Sequence, residues 1–261
     1  MSPIALPSDV GLRVQSDPPV DASHPPAGVL ARTRSDLILR GLPWLTLAAT
    51  VLFGLFNRDL TQMRDTVPFL VSFVFFGMPH GAMDLVVNQR LRRLEGRTTG
   101  LRGFTWYLGL MAFAGMLLVT APIVAVIAFF VLTVVHWGRG DLEATGGDAP
   151  HRLDRSAAIA GRGLLILGTA FAFDPAASWR PFSLLVSGEA AGSTSIDIAR
   201  TIGLVAFGFG LVSSVFWVVR RWSSADRSGA ILDTIESILI VAAIALTDPL
   251  FGIGMYFLGT H

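Results

Sequence analysis

Beyond an opening polar stretch, the sequence is built from apolar runs bounded by clusters of Arg, Asp, Pro and Gly. They fall at roughly 37–56, 66–87, 103–119, 122–138, 156–173, 197–219, 229–247 and 249–261. A helix rises about 1.5 Å per residue, so about twenty residues cross a hydrocarbon core about 30 Å thick. The first seven runs are about that long, some with help from flanking residues, and the eighth looks cut short. The pattern predicts an all-α fold, a multi-pass transmembrane helical bundle of seven to eight spans. Composition agrees: of 261 residues 52% are hydrophobic and 15% charged, and the mean hydropathy is +0.60, more apolar than a soluble domain of this length needs.

Residues 1–35 read differently. Six of the fourteen prolines fall before residue 27 among Ser, Asp and Gly, and this composition, with little periodicity, predicts a disordered N-terminal tail. It lacks the apolar centre of a signal peptide. Residues 36–261 form the transmembrane helical domain. The loop NQRLRRLEGRTTGLR after the second run holds five Arg against one Glu, and Arg220, Arg221 and Arg227 follow the sixth. Both loops are expected on the cytoplasmic side, with the tail beside them. This places the chain in a bacterial inner membrane with a cytoplasmic N-terminus and the lipid bilayer as its surroundings.

A net charge of +1 gives no basic or acidic excess, so nucleic acid is not an expected partner. Cysteine is absent, which excludes disulfides, thiolate zinc sites and iron–sulfur clusters. Any metal site must use histidine and carboxylate.

Of the five histidines, His24 lies in the tail and His151 in the polar loop GGDAPHRLDR. His80, His136 and His261 fall inside apolar runs, in the second, fourth and eighth spans. Counted from the outer boundary they lie roughly 18, 21 and 18 Å deep, in one layer. One intramembrane histidine is ordinarily a packing residue bonded across helices. Three at matched depth, with no Lys, Cys or carboxylate cluster evident as partners, point to a metal site. Neutral imidazole binds iron, copper or zinc and is cheaper to bury than a carboxylate.

A ligating imidazole needs an acceptor for its second nitrogen. Asp84, one turn after His80, and Asp141, five residues after His136, are candidates; each reads equally well as a polar residue at the inner end of its span. Glu236, near the cytoplasmic end of the seventh span, reads as a side chain that snorkels to the interface in preference to an acceptor for a ligand histidine, and Asp233 as interfacial.

The segments GMPHGAMD (77–84), HWGRGD (136–141) and PLFGIGMYFLGTH (249–261), in this order and spacing, resemble the Brp/Blh family of bacterial and archaeal β-carotene 15,15'-dioxygenases. The resemblance covers most of the chain after the tail and includes RGLLILGTAFAFDP. It implies that residues 36–261 are a catalytic domain that splits β-carotene at its central double bond with O2, giving two molecules of all-trans retinal for a retinal-binding opsin. It implies Fe(2+) as cofactor and His80, His136 and His261 as catalytic metal ligands. The family's last motif looks like His-Ser-x-Arg-His, and this sequence stops at the first of those histidines. A reading frame continuing for one or two turns, with a further histidine four residues on, is therefore expected. A carotene reaches its enzyme from the bilayer through an aromatic-lined gap, for which Phe75, Phe76, Trp137 and Tyr256 are candidates. Two other classes stay open on the residues alone: a haem-binding electron-transfer protein, and a transporter or assembly protein.

Overall fold

The computed structural model describes residues 27–72, 74–75, 87, 90, 94, 102–145, 151–224 and 226–260. They form α1 (Ala27–Met63), α2 (Val67–Ser72), α3 (Arg102–Thr120), α4 (Pro122–Ala144), α5 (Arg152–Phe173), α6 (Pro175–Ser187), α7 (Ser193–Ser223), α8 (Arg227–Leu246) and α9 (Pro249–Thr260). The fold is all-α, as predicted. Four of these helices, α4, α5, α7 and α8, are long and apolar enough to cross a membrane, and α9 and residues 108–120 are shorter apolar helices. The protein is a multi-pass membrane protein.

The described residues divide between Ile38 and Leu39 into two units. Of the expected tail, residues 1–26 lie outside the described residues, and α1 is already helical from Ala27. Within the larger unit α1 carries Pro43 and is broken at Asn57, whose φ of −140° is not helical. An internal proline removes a backbone donor, and a non-helical residue redirects the chain.

The segment DPAASWRPFSLLVS, which lies between the expected runs at 156–173 and 197–219, carries α6. Its local signals are clear in retrospect. Asp174 caps the N-terminus by accepting from the Ala177 amide at 3.1 Å, Pro175 takes the first helical turn, and Gly188 closes the C-terminus at φ 71°. A left-handed residue there is inexpensive only for glycine.

The packing centres on α5, which lies against α7 and α4. Small residues set the spacing. A Cβ at Gly138 on α4 would stand 2.0 Å from the Ile159 carbonyl oxygen on α5, and one at Gly163 on α5 would stand 2.2 Å from that of Val134 on α4. Gly168 on α5 faces the Phe207 backbone of α7 as closely. In lipid, where apolar surface alone gives no drive for helix association, such backbone contact supplies the van der Waals attraction. Gly138→Ala is therefore expected to force α4 off α5 and lower the unfolding temperature in detergent. An overpacked core costs about 1–3 kcal/mol. Gly109→Ala, with nothing within 4 Å of the new methyl, is the control; an equal loss from both would remove the steric explanation.

The buried core joins α1, α4, α5, α8 and α9 through Leu47, Trp137, Ile166, Ala170, Ile240 and Tyr256. Between α8 and α9 the chain turns at Thr247 and Asp248. The Asp248 amide donates to the Thr61 hydroxyl at 2.9 Å, and its carboxylate accepts from the Leu250 amide. Burial, with the charge of Asp65 added, outweighs that amide and raises the Asp248 carboxyl above its ordinary range.

Candidate functional site

At one end of this core the bundle turns ionisable side chains inward. Three guanidinium groups, Arg40 of α1, Arg162 of α5 and Arg221 of α7, meet the carboxylates of Asp141 of α4 and of Asp233 and Glu236 of α8. Arg162 is the hub. Its Nε stands 2.8 Å from Asp141 Oδ2, its Nη2 lies 3.3 Å from Glu236 Oε2, and its Nη1 donates to Ser237 Oγ at 3.2 Å. Arg40 reaches Asp233 and Glu236, both at 3.5 Å, and donates to the carbonyl of Thr145 at the end of α4 at 3.2 Å. Asp233 accepts from Arg221 at 2.6 Å and from the Trp217 indole at 3.0 Å.

These charges are affordable inside a membrane bundle only because each is paired. Stripping water from an ion costs several kcal/mol, and a close partner of opposite sign offsets it. At the edge of this cluster Arg221 also binds Asp226, the N-cap of α8, through Nε at 2.7 Å. Burial pushes the Asp226 carboxyl up, but the Arg221 hydrogen bond and charge outweigh it and hold it below its ordinary value.

The local sequence explains how an arginine comes to lie in mid-span. Arg162 is flanked by Gly161 and Gly163, which touch the backbones of α7 and α4 respectively. Both neighbours close over its side chain, which is buried. A cavity of about 30 Å³, room for one water molecule, lies beside it, lined by Asp141, Arg162, Trp217, Asp233 and Ser237 among others.

Asp141 is held from two sides. Its Oδ1 accepts from the Tyr256 hydroxyl of α9 at 2.8 Å. Its Oδ2 has Arg162 at ion-pair distance but receives no hydrogen bond, so the Nε–H is aimed aside.

The structure separates the residues singled out in the sequence. His80, Asp84, Phe76 and His261 lie outside the described residues. His136 is on α4, on the exposed side of the helix, and is not part of the buried pairs. Asp141 is buried, and its partners are Tyr256 and Arg162. Trp137 and Tyr256 are 8% and 0% exposed and fill the core, with Trp137 meeting the rings of Phe257 and Tyr256 at 4.9 and 6.2 Å. Phe75 is 67% exposed. The expected snorkelling of Glu236 and interfacial placement of Asp233 are corrected: both are buried because Arg40, Arg162 and Arg221 reach them. The carboxylate cluster that no single run revealed therefore exists. Arg162 went unremarked in the sequence, although an arginine between two glycines inside an apolar run marks a buried partner.

No three His, Cys, Asp or Glu side chains converge to hold a metal among the described residues. Of the three histidines expected to hold a metal, His136 is the one that lies among the described residues. The His136 imidazole is not consumed by an ion pair, and imidazole nitrogen suits a borderline metal.

A polytopic helical membrane protein with a paired ionic core and a histidine on the outward side of one span is the class these features define. The sequence model of the family Beta-carotene 15,15'-dioxygenase matches residues 71–261, and the chain belongs to that family. Over 112 residues it is 30% identical to the "Probable beta-carotene 15,15'-dioxygenase Blh" of Halobacterium salinarum, covering 39% of this chain and 30% of that protein. The chain thus spans less than a third of the length of this curated relative. No solved structure matches.

Proposed function

We propose that this chain is a membrane enzyme that cleaves the central 15,15' double bond of β-carotene with O2, giving two molecules of all-trans retinal. The family match over residues 71–261 carries the reading, because all three histidine-bearing motifs fall inside it. The reaction balances without an outside reductant or proton: the carbon–carbon double bond and the O–O bond break, and each aldehyde takes one oxygen atom.

The protein's own contribution begins at the bilayer. Ile127, Val131, Leu132 and Val135 of α4 are exposed apolar side chains, so an uncharged polyene dissolved in lipid meets α4 without crossing water. His136 follows them on that helix. His80, His136 and His261 would hold ferrous iron, which would supply the activation of O2. Asp84 and Asp141 act behind the histidines, Asp84 as a direct acceptor and Asp141 through the packing of α4. Phe75 and Phe76 remain candidates for the polyene path. We place the protein in the bacterial inner membrane with its N-terminus in the cytoplasm and a retinal-binding opsin as acceptor of the product.

In a bacterial host that accumulates β-carotene, expression of the chain is expected to bleach the orange pigment and yield retinal, measured by chromatography of membrane extracts. Unchanged carotene despite confirmed membrane insertion would overturn the proposal.

A further inference from the structure

We propose that Tyr256 is a positioning residue: its hydrogen bond to Asp141 is the tie that sets the register of α9 against α4. The proposal rests on the activity proposed above, because α4 carries His136 and His261 follows α9 directly in the sequence. Any cleavage that uses both motifs depends on how these two helices are placed.

Tyr256 has no exposed surface, so it cannot touch a substrate arriving from the bilayer. Its hydroxyl meets Asp141 Oδ1 at 2.8 Å. That acceptor is itself immobilised: Arg162 Nε stands 2.8 Å away, and Arg162 is fixed by Glu236 and Ser237 of α8. The chain Tyr256–Asp141–Arg162–Glu236 therefore runs from α9 through α4 and α5 to α8. With Oδ2 unbonded, the tyrosine hydroxyl is the hydrogen-bond donor this carboxylate depends on.

The other contacts of α9 are ring pairs, Phe251 with Phe53 of α1 at 5.9 Å and Phe257 with Phe69 of α2 at 6.4 Å, and close backbone approaches. Gly252 meets α8, Gly254 the Phe69 backbone of α2, and Gly259 Thr46 of α1. Glycine contacts of this kind bring backbones together and supply van der Waals attraction without a side-chain knob of their own. The aromatic contacts of Trp137 with Phe257 and Tyr256 are tolerant of small displacement. A directional hydrogen bond between buried groups is not.

The test compares wild type, Tyr256→Phe and Asp154→Asn. The last breaks the Arg220–Asp154 pair between α7 and α5 (3.0 Å) and serves as a destabilised control away from α9. In Tyr256→Phe, kcat for retinal formation is expected to fall at least about 10-fold with KM changed less than about 2-fold, since a small misplacement of reacting groups is costly in rate. Asp154→Asn should lose thermal stability and keep kcat. Because the chain has no cysteine, a second readout is clean. Spin labels on Val135→Cys and Leu258→Cys should give one narrow distance distribution between α4 and α9 that widens or shifts in Tyr256→Phe. Asp141→Asn, which keeps an acceptor oxygen for Tyr256, should restrict that widening. A Tyr256→Phe protein with lowered stability but unaltered kcat and unaltered distances would reduce the bond to ordinary packing. Should the wild-type chain make no retinal, the activity reading fails, and the distance distributions alone decide whether the tie exists.

Discussion

Arg162→Leu is expected to be among the most damaging single substitutions in the bundle, lowering stability by about 3–5 kcal/mol, the usual cost of leaving a buried ion without its partner. The leucine removes one positive charge and strands two negative ones. Asp141 would keep only the Tyr256 hydroxyl, and Glu236 only Arg40 at 3.5 Å. Arg162→Lys should fall between, because an ammonium cannot reproduce the fork by which the guanidinium meets Asp141, Glu236 and Ser237 at once. Thermal unfolding followed by size exclusion in detergent would measure the series. If Arg162→Leu unfolds within about 1 kcal/mol of wild type, a margin expected only of ordinary surface changes, the buried charges do not act as a connected set.

The placement of these charges also explains why they are kept. A buried ion pair is often no more stabilising than well-packed apolar residues of the same volume. Here the helix faces that meet are unusually smooth, with Gly138, Gly161, Gly163 and Gly168 at backbone contact. Smooth faces attract in many registers. Arg162 satisfies its partners in one, so the network supplies specificity where glycine packing supplies attraction.

The spans were legible in the sequence because each depends on local composition. The expected runs at 122–138, 156–173 and 229–247 lie close to α4, α5 and α8, since apolar length and flanking Arg and Pro fix a span's ends within its own stretch. Helix α6 falls outside the expected runs because Trp179, Arg180 and Pro181 interrupt its apolar stretch, while the signals that mark it are the cap at Asp174 and the left-handed Gly188. The site was legible only as separate residues. Asp141 pairs with Tyr256 across 115 positions and Arg40 with Asp233 across 193. Read along the chain, each is a polar residue near the end of an apolar run, and only the crossing of six helices makes them one cluster. Glu236 illustrates the consequence: from its own span it belongs at the interface, and from the positions of Arg40 and Arg162 it belongs inside.

His136→Ala is expected to reduce retinal formation by at least about 100-fold, because losing even an outer partner of a metal ligand costs 10–100-fold and losing a ligand costs no less. Its placement makes this a clean test. His136 is exposed on α4, so its truncation opens no cavity in the core, and stability should change by no more than about 0.5 kcal/mol. The neighbouring Trp137 and Gly138, which face inward, would lose both fold and activity together and reveal little about chemistry. His151, exposed at the N-cap of α5 without a side-chain capping bond, is the matched control: His151→Ala should keep retinal yield, iron content and stability. The purified His136→Ala protein should also hold less iron than wild type at equal folding. Retained iron with lost activity would move His136 from ligand to another role in the reaction. Wild-type retinal yield from His136→Ala would remove it from the site altogether, and with it the claim that the lipid-facing side of α4 is where the chemistry occurs.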